Sequence, residues 1–238
     1  MYKDRIVLVT GASRGVGLEI TKHFINNGAT VIGLSRGTSS FKHQQYKHFS
    51  VDIGNSESII NCFKKEIGKD FKRIDIVINN AAVLTSQYSM IMPSKNAIDM
   101  VNVNLLGVFF VSIESAKLMR GKESGRIINI GSMATSLEPI GDSIYAATKA
   151  GISTLANVMA KELSPLNITC NTIAITAIET DMLNSHSANA QIKIKEIIKN
   201  LPIPRMAIAD DILNVIDFFA SDRSSYITAQ TIYLGGIN

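Results

Sequence analysis

The run Ile6-Val7-Leu8-Val9-Thr10-Gly11-Ala12-Ser13-Arg14-Gly15-Val16-Gly17 decides the fold. Its first four residues are apolar and largely β-branched, and they stop at a glycine. That is the pattern of a short buried strand. Beyond it Val16, Ile20 and Phe24 recur at helical spacing until Gly28, which reads as a stop signal. Between strand and helix lie three glycines. Lacking Cβ, they let the backbone turn tightly and approach a ligand. The helix start then presents unpaired N–H groups and a positive dipole end, a ready site for a phosphate.

Working outward, strand and helix signals alternate. Thr30 to Leu34, His48 to Val51 and Ile74 to Ile78 read as strands, with a helix capped by Ser56 running to about Ile67. Asn96 to Met119 reads as a long apolar helix, Arg126 to Ile130 as a strand and Ile144 to Leu163 as another long helix. Ile168 to Ile173, a polar helix near 188–200, a helix over Ile208 to Ala220 and a strand over Gln230 to Leu234 complete the pass. Continuous apolar strands joined through helices imply an α/β fold: a Rossmann-type, doubly wound parallel sheet of about seven strands, covered on both faces. No linker or repeat divides residues 1–238, so a single domain is expected.

The bulk numbers agree. The 238 residues are 46% hydrophobic and 18% charged, with a formal net charge of +4. This is a composition for one buried core, and the dispersed lysines and arginines do not suggest nucleic acid. Cys62 and Cys170 are too far apart in sequence for a metal or redox pair. The N-terminus is too short and charged for a signal peptide, and no apolar run is expected to approach the roughly 20 residues of a span. A cytoplasmic protein without membrane contact is expected.

Three further elements carry chemistry. Asn79-Asn80-Ala81-Ala82 follows the fourth strand, Ser132 closes the fifth, and Tyr145 and Lys149 share one helix face. A phenol has an ordinary pKa near 10 and is poorly matched to proton transfer at neutral pH. A neighbouring ammonium is expected to lower it. Ser132 can donate to a carbonyl oxygen as charge develops there.

This set resembles the short-chain dehydrogenase/reductase family. The T-G-x-x-x-G-x-G turn, the Asn-Asn-Ala element, Ser132 and Tyr145-x-x-x-Lys149 stand in the family's order over the whole chain. The resemblance implies reduction of a ketone to a secondary alcohol, with Ser132, Tyr145, Lys149 and Asn104 as the catalytic group. In the Asn104-Leu105-Leu106-Gly107 context, the Asn backbone would help hold a water in a proton relay to the lysine. A nicotinamide dinucleotide would lie on Gly11, Ser13, Arg14, Gly15, Val16 and Gly17. It would also meet Asp52 and Ile53 at the adenine, Asn79 and Ala81 past the fourth strand, then Tyr145, Lys149 and Thr180. NADP(H) is expected over NAD(H). At the end of the second strand, where a carboxylate would repel a 2′-phosphate, the chain has Ser35 and Arg36, with Arg14 nearby.

The chain departs from the family at Ile175-Thr176, where Pro-Gly is usual, so a different loop path is expected. Residues 181–205 are expected to form a substrate lid. The overall pattern is similar to 3-oxoacyl-acyl carrier protein reductases, which makes a 3-oxoacyl thioester the first substrate and an acyl carrier protein a possible partner. The basic residues that would meet such a carrier are replaced by Glu123 and Leu166, with Lys122, Lys193, Lys195 and Lys199 as possible compensation. A keto-sugar or secondary-metabolite ketone is the second reading, and a cofactor-binding protein without turnover the third. A homotetramer, or a dimer, is expected by resemblance, through the two long helices.

Overall fold

The computed structural model describes residues 1–122, 124–176, 178 and 197–236. Seven parallel strands form one sheet: β1 Ile6–Thr10, β2 Thr30–Ser35, β3 Tyr46–Ser50, β4 Ile76–Asn79, β5 Gly125–Ser132, β6 Ile168–Ile175 and β7 Thr231–Tyr233. Their order across the sheet is β3-β2-β1-β4-β5-β6-β7. The doubly wound α/β expectation therefore holds.

Side chains alternate across the sheet, so each strand feeds two cores. Leu8, Ile32, Leu34 and Val77 pack on one face against Ile59, Val111 and Met159. These three come from helices α2 (Ser56–Cys62), α5 (Gly107–Met119) and α7 (Ser143–Leu163). Val7, Val9, Val31 and Ile78 pack on the other face against Ile20, Phe24, Ile212 and Phe219. Those belong to α1 (Gly15–Asn26) and α8 (Ala209–Ala220). With both faces covered, strands that look uniformly apolar in sequence are satisfied on both sides.

Several boundaries move. Asn55, not Ser56, caps α2, accepting from the Ser58 N–H at 3.0 Å. The helix then widens into a π turn, Phe63–Ile67, before its last turn α3, Gly68–Asp70. The expected helix from Asn96 starts two residues earlier as α4, Ser94–Val101, and passes through a second π turn, Asn102–Leu106, into α5. By length and composition this combined helix, Ser94–Lys122, is apolar enough to cross a membrane. Here it packs along the sheet and carries the buried polar residues Asn104, Ser112 and Ser115. The helix expected near 188–200 falls mostly outside the described residues. A short helix, α6 (Ala134–Leu137), lies between β5 and α7.

Strand β6 runs on to Ile175, in register with Ser132, and the Ile175 carbonyl accepts from the Met133 N–H at 2.9 Å. Thr176 is buried and touches the backbone turn at Gly235. Ile175 thus extends the strand, as a β-branched residue favours, and Thr176 follows just beyond its end.

Candidate active site

Strand order reverses between β1 and β4, and the carboxyl ends of strands at such a switch point form the usual ligand crevice. The crevice is locked by Thr10. Its Oγ1 accepts from the backbone N–H groups of Asn80 (3.0 Å) and Ala81 (2.9 Å), and its carbonyl accepts from Asn80 Nδ2 at 2.9 Å. A Cβ on Gly17 would sit 2.2 Å from the Gly11 carbonyl oxygen, and one on Gly11 would sit 2.8 Å from Asn80 Nδ2. Only glycine fits this turn. Gly15 differs: its φ is +53° and nothing lies within 4 Å of where a Cβ would stand. The turn is closed toward the protein and open at Gly15.

That open side suits a pyrophosphate. No side chain caps α1 and its first turn holds no acidic residue, so its first N–H groups face no competing carboxylate. Val16 is partly buried, Ser13 half-buried and Arg14 exposed at this end. At the end of β2 the Ser35 hydroxyl hydrogen-bonds His48 Nε2 at 2.7 Å and donates to the Gly37 carbonyl at 3.1 Å, with Arg36 exposed beside it. Burial, then Lys42, hold His48 below its ordinary pKa. Asp52 is exposed and its Oδ1 accepts from the Gly54 N–H at 3.0 Å, while Ile53 is buried. These residues fit a nicotinamide dinucleotide.

The amide that borders the glycine turn is that of Asn80, which sequence reasoning passed over for Asn79. The Asn79 side chain is buried, donating to Ser112 Oγ at 2.9 Å and Asn129 Oδ1 at 2.8 Å. Its Oδ1 has no hydrogen-bond partner among the described residues. Two adjacent asparagines cannot be told apart by type. Strand alternation is the signal that separates them, since one must face inward.

At the chemical end, Lys149 is buried and its Nζ donates to the Ile130 carbonyl at 2.7 Å. Nζ also lies 5.8 Å from the centroid of the Tyr145 ring, so the shared helix face is real. Burial lowers the lysine to a pKa of about 8. The Tyr145 phenol moves opposite to expectation. Burial raises it, hydrogen bonding with Ser132 pulls it down, and the Asp142 charge pushes it up again, for a net rise. The cost of dehydrating a phenolate is the leading cause. Ser132 is buried, its Oγ accepting from the Ala134 N–H at 3.1 Å.

Asn104 is fully buried in the second π turn. Its Oδ1 accepts from the Val83 N–H and its Nδ2 donates to the Val83 carbonyl, both at 2.8 Å. Nδ2 also reaches Thr148 Oγ1 at 3.3 Å, and Thr148 in turn donates to the Tyr145 carbonyl at 2.7 Å. The Asn104 side chain thus ties the loop after β4 to the helix of Tyr145 and Lys149. Thr148 and Asp142 are the site residues that sequence reasoning did not single out. Their spacing of three from Tyr145 was the available signal.

Thr180, Glu123, Lys193, Lys195 and most of the expected lid, residues 181–196, lie outside the described residues. Lys122 is engaged elsewhere, donating to buried Asp75 at 2.9 Å. It is a weaker candidate for carrier contact than its sequence position suggests. Cys62 and Cys170 are buried free thiols pushed up to about 12 by burial, Cys62 also by Glu66. They stand as packed side chains.

A parallel sheet with a glycine turn at its switch point and a Ser-Tyr-Lys group at the next strand end defines a nicotinamide-dependent oxidoreductase. The family model for short chain dehydrogenases matches residues 5–191, and the chain belongs to that family. It is 33% identical to the 3-oxoacyl-[acyl-carrier-protein] reductase of Escherichia coli K12, over 99% of this chain and 97% of that protein. The Chlamydia pneumoniae reductase of the same name is also 33% identical, over 97% and 95%. Among solved structures, the ligand-free aldohexose dehydrogenase of Thermoplasma acidophilum superposes with a TM-score of 0.89 at 26% identity. That superposition covers 99% of this chain and 94% of that one.

Proposed function

We propose that the protein reduces a ketone to a secondary alcohol with NADPH, Tyr145 giving the proton. The observation that carries this reading is the group at the end of β5: Ser132 is buried there, and Lys149, buried and held on the Ile130 carbonyl at 2.7 Å, has its Nζ 5.8 Å from the centre of the Tyr145 ring. When bound, the cofactor supplies the hydride. Ser132 donates to the carbonyl oxygen, and Tyr145 delivers its proton to that oxygen as negative charge builds on it. Lys149, buried and cationic below about pH 8, stabilises the phenolate that remains and offers a donor to the nicotinamide ribose. Asn104 holds the loop and helix that frame this pair. Its backbone role in a water relay and the nicotinamide contact of Thr180 belong to the same proposal.

NADPH is favoured by the hydroxyl of Ser35 where a carboxylate would repel phosphate, and by exposed Arg14 and Arg36. A 3-oxoacyl thioester is the first substrate to try, because the curated relatives bear that activity in their names over nearly the whole chain. An acyl carrier protein as its bearer, a cytoplasmic setting and a homotetramer or dimer go with that reading. A keto-sugar is the second reading, favoured by the superposition on an aldohexose dehydrogenase.

The test follows oxidation of NADPH and NADH with acetoacetyl thioester, keto-sugars and simple ketones. Turnover with NADPH is expected to fall at least ~100-fold in Tyr145→Phe with cofactor affinity kept. Cofactor binding without turnover on any ketone would overturn the reading and leave a binding protein.

A further inference from the structure

The end of β2 is tied to β3 by backbone and side chain. The Val51 N–H donates to the Ser35 carbonyl at 2.9 Å, the Ser50 hydroxyl donates to the Arg36 carbonyl at 2.8 Å, and the Ser35 hydroxyl meets His48 Nε2 at 2.7 Å. His48 pairs with Gly33 in the ladder, two residues short of Ser35, so it reaches Ser35 diagonally. Tyr46 covers Gly33, where a Cβ would stand 2.3 Å from the tyrosine hydroxyl, and its ring lies 6.2 Å from the imidazole.

Ser35 has one proton to give. It donates that proton to the Gly37 carbonyl at 3.1 Å. The shorter bond then runs the other way, from a His48 Nε2–H to Ser35 Oγ. Burial, then Lys42, hold His48 below its ordinary pKa, so the ring is neutral at neutral pH and a single tautomer makes this bond. Ser35 is only partly buried, and Arg36, Gly37 and Thr38 beside it are exposed, so a ligand can reach the hydroxyl.

The oxygens of a phosphate dianion only accept hydrogen bonds. To meet one, Ser35 must turn its proton away from Gly37 while another donor holds its oxygen. The His48 Nε2–H is that donor. In the other tautomer a bare Nε2 would take the serine proton and leave a lone pair toward the phosphate. A ribose 2′-hydroxyl both donates and accepts, so it is indifferent to the choice.

We propose that His48 is a positioning residue for NADP(H): its Nε2–H holds the Ser35 oxygen, so that the Ser35 proton is free for the 2′-phosphate. The inference rests on the NADPH reading above and deepens it.

The test titrates the intact protein with NADPH and NADH and reads Kd from cofactor fluorescence. His48→Phe keeps a ring beside Tyr46 and removes the donor. It is expected to weaken NADPH about tenfold and NADH by less than about threefold. His48→Gln, whose side-chain amide brings an N–H to the same point, restores most of the loss. In a Ser35→Ala background His48→Phe changes neither Kd, because the group it acts through is gone. Ring-nitrogen NMR shifts of the wild type at neutral pH show His48 protonated at Nε2, its signal among the four histidines being the one lost in His48→Gln. An unchanged NADPH Kd in His48→Phe, an equal loss of both cofactors, a loss that Gln does not restore or that persists without Ser35, or an Nδ1–H tautomer each overturns the proposal and leaves the NADPH reading standing. If the Phe variant does not fold by circular dichroism, the tautomer decides. Wild-type protein that binds NADH as tightly as NADPH overturns both.

Discussion

Replacing Asn104 by Ala puts the arrangement of the site to a quantitative test. The substitution deletes two 2.8 Å hydrogen bonds to Val83 and a 3.3 Å bond to Thr148, in a place with no exposure. Water does not replace them readily, because the side chain it would replace is fully enclosed. Two backbone groups of Val83 are orphaned, at about 1–3 kcal/mol each. Partial relaxation of the loop brings the expected loss to about 3 kcal/mol. For a chain of this size that corresponds to a fall in Tm of about 6–12 °C. Thermal unfolding followed by circular dichroism measures it, with and without saturating NADPH. Activity should fall as well, since the loop after β4 and the helix of Tyr145 and Lys149 lose their tie. A Tm within 2 °C of wild type would refute the reasoning, showing that the loop is held by other contacts.

Three other outcomes are expected. In the reduction direction kcat/KM should decline as pH rises through about 8, where buried Lys149 loses its charge, and a profile flat from pH 7 to 9.5 would contradict this. Gly17→Ala should abolish cofactor binding in equilibrium titration or prevent folding, because the added carbon would meet the Gly11 carbonyl oxygen at 2.2 Å. Asp75 is buried among Lys122, Arg73 and Arg5 and accepts from the Ile6 N–H. Burial alone would raise its pKa, but Lys122, the Ile6 N–H and Arg73 bring it below 3.8. Because the folded pKa is the lower one, its contribution is complete above about pH 4 and is lost as pH falls through the folded value. Asp75→Asn should cost about 3 kcal/mol at pH 7, and its gap from wild type in urea unfolding should close in acid.

What was legible in the chain is what local physics decides. The β-branched run Ile6–Val9, the glycine turn and the 3.6-residue spacing of Val16, Ile20 and Phe24 are set by neighbours in sequence, and they predicted a doubly wound parallel sheet. The pairing of Tyr145 with Lys149 was legible for the same reason, since a helix places residues four apart on one face. Helix boundaries were less so: the π turns at Phe63–Ile67 and Asn102–Leu106 have no residue-type signature, and the second carries the Asn104 that bonds distant Val83.

Only the tertiary structure decided which groups are dehydrated and what they meet. It turned Asn79 into the core and Asn80 onto the glycine turn, committed Lys122 to Asp75, and extended β6 through Ile175. It also reversed the expected sense of the Tyr145 shift. In sequence a lysine four residues on looks like a stabiliser of the phenolate. In the folded chain the enclosure around the ring costs the anion more than its surroundings return. Spacing along a helix specifies which residue types can meet. The loss of water that sets their proton affinities is a property of every segment packed around them, and those segments are distant in sequence.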